Sequence, residues 1–222
     1  MTTLIFVRHG QSVANLEHYF AGNTDIPLTE LGHRQAELTA EYLDRYRIDC
    51  IYASDLCRAY QTAEHTAARL NQPIVKDAAF REIYAGEWEA RPFEELPVLY
   101  PESYQTWKTK ISRACPDGGE RVIDLSNRIW GGVERILRQH KGETVAIFTH
   151  ATPVRTLAWR WFGYDVNTAD EATLCEIDAL PFCPNASVSV AEYEDDGSCR
   201  LLCYGYNEHL CGLSTELPAN LV

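Results

Sequence analysis

Two runs of the chain, LIFV at 4–7 and TVAIFT at 144–149, are apolar with none of the polar alternation of a strand that keeps one face in water. Strands of that kind must be covered on both faces, so the chain has to supply helices for two layers. The intervening sequence does so. From Thr29 to about Tyr46 the apolar Leu31, Leu38, Tyr42, Leu43 and Tyr46 share one helical face, with Thr29 as N-cap. CIYASD (50–55) reads as a second strand. Leu56 to Leu70 reads as a helix capped by Ser54 or Asp55, with Leu56, Ala59, Tyr60, Ala63, Ala67 and Leu70 on one side. A short strand is expected near 73–76, and a helix over 121–139 from Val122, Leu125, Ile129, Val133, Ile136 and Leu137. After TVAIFT another helix follows, with Thr152 as cap and Pro153 in its first turn. SVSV (187–190) alternates as a half-buried strand, EDDGS (194–198) is a turn, and 199–204 pairs back as a hairpin. Strands alternating with helices predict an α/β layered fold with a largely parallel sheet.

The chain's 222 residues suffice for one domain, and no repeat or low-complexity linker divides them, so a single domain over 1–222 is expected. REIYAGEWEARPFEELPVLYPESY (81–104) has no long period and is rich in aromatics, Pro and Glu; it reads as an insertion or lid, placed at about 83–120. Its Tyr84, Trp88, Phe93, Tyr100, Tyr104 and Trp107 either wall an organic ligand or form the core of that subdomain.

With 32 acidic against 20 basic residues the formal charge is −12, which argues against nucleic acid or an anionic membrane surface as partner. An anionic ligand must then be held by a local cluster of Arg or His. No run approaches a membrane span and no signal-like stretch opens the chain. The eight cysteines show neither CxxC pairs nor zinc-finger spacing and read as reduced thiols, so a cytoplasmic setting is expected.

Three residues stand just past strand ends: His9 after LIFV with Arg8 before it, Arg58 in the first turn after CIYASD, and His150 after TVAIFT. In open parallel sheets ligands bind beyond the carboxyl ends of strands, so topology brings these residues to one crevice. Two helix N-termini open beside it, and with Arg8 and Arg58 they make a locally positive field suited to a phosphate monoester. His9 is a candidate nucleophile, because a neutral imidazole attacks phosphorus once the surrounding oxygens are neutralised. Glu82, between Arg81 and Ile83, is the candidate proton donor and then base. Gly10 is expected to let the backbone turn away sharply after the strand.

FVRHGQSVAN (6–15), PLTELGHRQA (27–36), ASDLCRAYQTA (53–63), REIYAGEWEA (81–90), DGGERVIDLSNRI (117–129) and VAIFTHATPVRTL (145–157) resemble, in order, the signature blocks of the histidine phosphatase superfamily, also called phosphoglycerate mutase-like. The resemblance implies a three-layer α/β/α sandwich with a mostly parallel central sheet. It implies His9 as the phosphorylated nucleophile with its other ring nitrogen hydrogen-bonded, Arg8, Arg58 and His150 completing the phosphate pocket, and Glu82 as acid and base. Asn15 matches a position that contacts phosphate, and Ser12 and Ala151 join it as substrate-binding candidates. The family needs no metal, and no cofactor is implied. The second histidine is usually followed by Gly; here it is Ala151, which keeps the N–H and is expected to leave activity in place with a slightly narrower pocket. The segment after Glu82 is closer to broad-specificity and α-ribazole phosphatases than to the mutases. The expected activity is hydrolysis of small phosphorylated metabolites, the alternatives being a cofactor-dependent phosphoglycerate mutase or a non-catalytic module that binds phosphorylated ligands.

Overall fold

A computed structural model describes residues 1–215 of the chain. Six strands form one sheet: β1 (Thr2–Arg8), β2 (Cys50–Ala53), β3 (Ile74–Lys76), β4 (Thr144–Thr149), β5 (Val188–Tyr193) and β6 (Cys199–Tyr206), in the order β3-β2-β4-β1-β5-β6. The pairs β1·β4, β2·β4 and β2·β3 are parallel, whereas β1·β5 and β5·β6 are antiparallel. Eight α-helices flank the sheet among the described residues: α1 (Val13–Glu17), α2 (Glu30–Leu43), α3 (Cys57–Leu70), α4 (Leu96–Leu99), α5 (Pro101–Thr109), α6 (Val122–Gln139), α7 (Ala151–Trp161) and α8 (Glu171–Ala179).

The apolar runs are buried on both faces, as their lack of alternation requires. Leu4 and Phe6 join Val145 and Ile147 in a core closed by α6 and α7. Ile5 and Val7 face the other way, with Ala146 and Phe148, toward Leu43 of α2 and Ala63 and Ala67 of α3. The result is the three-layer sandwich with a mostly parallel sheet.

Several boundaries differ from the sequence reading for local physical reasons. α2 ends at Leu43, and β2 stops at Ala53. Leu56, not Ser54 or Asp55, is the cap residue of α3. Asp55 is taken by Arg81, whose Nε donates to it at 2.6 Å, and the Ser54 hydroxyl accepts the Leu56 N–H at 3.3 Å. Thr152 is the second residue of α7 rather than its cap; His150 holds the cap position without a capping side chain. The 81–120 stretch is built of short pieces, α4, α5 and single 3-10 turns, and is anchored by the fully buried Trp88, Leu96 and Ile111.

Candidate active site

Pairing of β1 with β4 sets Arg8 opposite Thr149, so the chain leaves both strands side by side and His9 and His150 follow at neighbouring strand ends. Their ring centroids are 5.2 Å apart, edge to face. His9 Nδ1 lies 2.7 Å from the Gly10 carbonyl oxygen. A carbonyl only accepts, so that nitrogen carries the proton and Nε2 keeps the free lone pair. Burial, and then the charges of Arg58 and Arg8, hold the His9 pKa well below the ordinary histidine range, so the ring is neutral at neutral pH. His150 is depressed in the same direction, by burial first and then by Arg58. Its Nε2 is 2.9 Å from Ser54 Oγ, and its Nδ1 is buried without a partner among the described residues.

Gly10 does not have a positive φ. Its requirement is space: a Cβ there would lie 2.4 Å from the Gly32 carbonyl oxygen, and one on Gly32 would lie 2.0 Å from that of Gln11. The loop after β1 therefore rests backbone to backbone on the first turn of α2. Freedom to turn is not what selects this glycine.

Both arginines are buried and lack a carboxylate ion pair among the described residues. Arg58, the second residue of α3 and 1% exposed, donates from Nη1 to Thr24 O at 2.9 Å and from Nη2 to Gly22 O at 2.7 Å. Arg8 donates from Nη1 to the Cys183 carbonyl oxygen. Each keeps a buried Nε without a partner among the described residues. Burial lowers both pKa values, that of Arg8 to about 10, while the Glu82 carboxylate opposes the shift, so both stay cationic at neutral pH. Two guanidiniums with unused donors are set for an anion rather than for a protein carboxylate.

Glu82 sits on the loop after a 3-10 turn at Ala78–Phe80. Its Oε1 accepts from the Ile83 N–H at 2.9 Å, and its Oε2 from the Thr152 N–H at 3.4 Å. Arg8, His9, Arg58, Glu82, Ser12, Asn15 and Ala151 all line one cavity of about 120 Å³, together with Thr152; His150 stands behind His9 rather than on its wall. The Ser12 hydroxyl is committed to the capping box of α1, where it pairs with Asn15 at 3.0 Å. Ala151 takes the first position of α7 without positive φ, so alanine costs nothing in backbone strain there.

Sequence reasoning missed the residues that hold these groups. Thr62 Oγ1 accepts the Gly10 N–H at 3.1 Å. Asn185 Nδ2 donates to His9 O at 3.0 Å, to Gly10 O at 3.2 Å and to Asn15 Oδ1 at 3.1 Å. Arg128 of α6 reaches the carbonyls of Ala79, Arg81 and Glu82 at 2.9, 3.1 and 3.2 Å, and pairs with Glu120 at 2.8 Å. Glu89 accepts the N–H groups of Asn23 and Thr24, both at 2.8 Å, and so shapes the turn whose carbonyls hold Arg58. These contacts join segments far apart in sequence through main-chain atoms, which leave no residue pattern to read. Among the described residues, no group of three or more His, Cys, Asp or Glu is arranged to hold a metal ion.

A model of the histidine phosphatase superfamily (branch 1) matches residues 4–206. Phosphoserine phosphatase 1 of Hydrogenobacter thermophilus is 32% identical over 195 residues, covering 88% of each chain. The uncharacterised phosphatase PhoE of Bacillus subtilis is 30% identical over 96% of this chain and 98% of its own. The solved structure of Bacillus stearothermophilus YhfR superposes with a TM-score of 0.86 at 30% identity, over 95% of this chain and 100% of that one.

Proposed function

The chain belongs to the histidine phosphatase superfamily, and from that premise we propose that it is a phosphomonoesterase acting on small phosphorylated metabolites through a phosphohistidine on His9. The observation that carries the reading is a neutral His9 whose Nε2 lone pair is free, set between two buried cations and facing a carboxyl group across one cavity. Phosphatases among its relatives support it.

The phosphoryl group docks on the spare donors of Arg8 and Arg58 and on the N-terminal amides of α7. His9 Nε2 attacks phosphorus as the P–O bond to the alcohol breaks. The leaving oxygen takes a proton from the Glu82 carboxyl group. Glu82, now a carboxylate, takes a proton from water. That water attacks the phosphohistidine, the P–N bond breaks, and phosphate and free His9 result. Asn15 contacts the phosphate, and Ser12 fixes Asn15. No step needs a metal. One sheet shared by both cores supports reading the described residues, 1–215 of the expected domain over 1–222, as one domain, with 83–120 as an insertion or lid beside the site. Eight free thiols support a cytoplasmic setting. No helix among the described residues is long and apolar enough to cross a membrane.

Hydrolysis of β-glycerol phosphate in EDTA tests the reading. The wild type is expected to turn over and to yield an acid-labile phosphoenzyme; His9→Ala abolishes both, and Glu82→Gln slows release of the alcohol by about 10²-fold or more. Phosphate binding without turnover would make the chain a binding module. Interconversion of 2- and 3-phosphoglycerate with added 2,3-bisphosphoglycerate, and no free phosphate, would make it a mutase.

A further inference from the structure

Beyond the phosphate end, the cavity has walls but no fixed charge. Its outer half is formed by His18, Tyr19, Phe20, Phe93, Trp107 and Phe182. Among the described residues, Arg8 and Arg58, both at the phosphate end, are the only arginines on its surface, and no lysine lines it. A carboxylate on the leaving group would lose its water without meeting a guanidinium or an ammonium, which is unfavourable.

The wall is also interlocked. Trp107 and Phe182 stack at 19° with centroids 6.5 Å apart, and Phe20 lies 5.3 Å from Trp107 and 5.6 Å from Phe93. Phe182 makes a second contact, with the Arg155 guanidinium carbon 4.4 Å from its ring centre. Arg155 is 7% exposed and has no ion pair among the described residues. Its Nη2 donates to the Asp178 carbonyl oxygen at 2.6 Å, and its Nε is buried without a partner. A buried guanidinium this poorly satisfied is costly and calls for an explanation. The ring face it covers provides one, because a desolvated cation over an aromatic face is held by the ring's quadrupole.

We propose that the outer half of the cavity is a leaving-group slot for an uncharged aromatic or apolar alcohol, with Trp107 and Phe182 as specificity-determining walls and Arg155 as the positioning residue that fixes Phe182. The proposal rests on the phosphatase reading, which supplies the phosphate end of the ligand. It divides phosphate esters by what the alcohol carries: a hydrocarbon surface is accepted, and a second acid is not.

Hydrolysis-resistant phosphonates test the slot without turnover. By calorimetry on the full chain, 3-phenylpropylphosphonate is expected to bind about tenfold or more tighter than ethylphosphonate, and 3-phosphonopropionate no tighter than ethylphosphonate. Trp107→Ala and Phe182→Ala should each shrink the aryl-to-ethyl ratio. With 2-phenylethyl phosphate as substrate, Arg155→Gln should raise KM by a larger factor than it lowers kcat, and Arg155→Lys should recover part of the loss. Binding of 3-phosphonopropionate as tight as that of 3-phenylpropylphosphonate, or tighter, overturns the proposal. So does an Arg155→Gln variant that loses the carboxylate ligand more than the aryl one, since Arg155 would then be an anion receptor. Aryl-selective binding without hydrolysis of any ester would remove the phosphatase reading and leave the slot; hydrolysis without aryl preference would do the reverse.

Discussion

His9 is positioned through main-chain atoms on every side. Its Nδ1 faces the carbonyl of its own neighbour, that neighbour's N–H is fixed by Thr62, and the His9 and Gly10 carbonyls share the Asn185 amide. The position of Gly10 therefore sets that of His9, the proposed nucleophile. Gly10→Ala forces its new methyl group onto the Gly32 carbonyl oxygen. The expected cost is about 1–3 kcal/mol in urea unfolding, with a larger fractional loss of kcat than any change at a distant surface site would give. A variant as stable and active as the wild type would mean that the α2 contact yields freely.

At the scale of the element, the Glu82 loop depends on α6, because Arg128 collects three of its carbonyls. Arg128→Gln leaves these acceptors short of donors. It is expected to cost about 1–3 kcal/mol of stability and to lower kcat for β-glycerol phosphate about tenfold or more, through misplacement of the proposed general acid. An unchanged kcat would show that Glu82 is held well enough by Ile83 and Thr152. The elements differ in how far the sequence disclosed them, and the reason is burial. β1, β4 and α6 are buried by apolar residues along their length, so two unbroken runs and one helical stripe disclose them; α2 instead turns Gly32, Gln35, Ala36, Thr39, Ala40 and Leu43 inward, and Leu31 and Leu38, which the sequence puts on its apolar face, are only half-buried. α1 has five residues, one of them buried, and α8 buries only Ile177; neither carries a stripe to read. Likewise Arg8, His9, Arg58 and His150 stand out as candidates because they lie at or just past strand ends, and Glu82 because it opens the aromatic-rich insertion. Asn185, Arg128, Glu89 and Phe182 act across the fold, and only the folded chain reveals them.

Across the whole molecule, burial of neutral histidines sets an acid limit. His9 and His150 lie well below the ordinary value of 6.5, and burial also lowers His65 and takes His209 to about 4. A histidine depressed in the folded state binds its proton more readily once unfolded. Stability from these groups is therefore full above about pH 6.5 and is lost as pH falls below it toward the folded pKa values. The urea midpoint is expected to be level from pH 8 to about 6.5 and to fall between 6.5 and 4, a range above the ordinary titration of most carboxylates. His9→Asn should flatten that slope; an identical slope would assign the acid sensitivity to other groups.

The neighbouring ends of β1 and β4 have a further consequence in time. His9 is made early in synthesis, but the strand that brings His150 beside it lies far along the chain, and Cys183, whose carbonyl holds Arg8, and Asn185 come later still. Such pairings close only after much chain entropy has been given up, so they belong to the slow part of folding. A nascent chain thus carries His9 for most of its synthesis without the surrounding positive field, and the phosphoryl chemistry proposed for this residue is withheld until the sheet is complete.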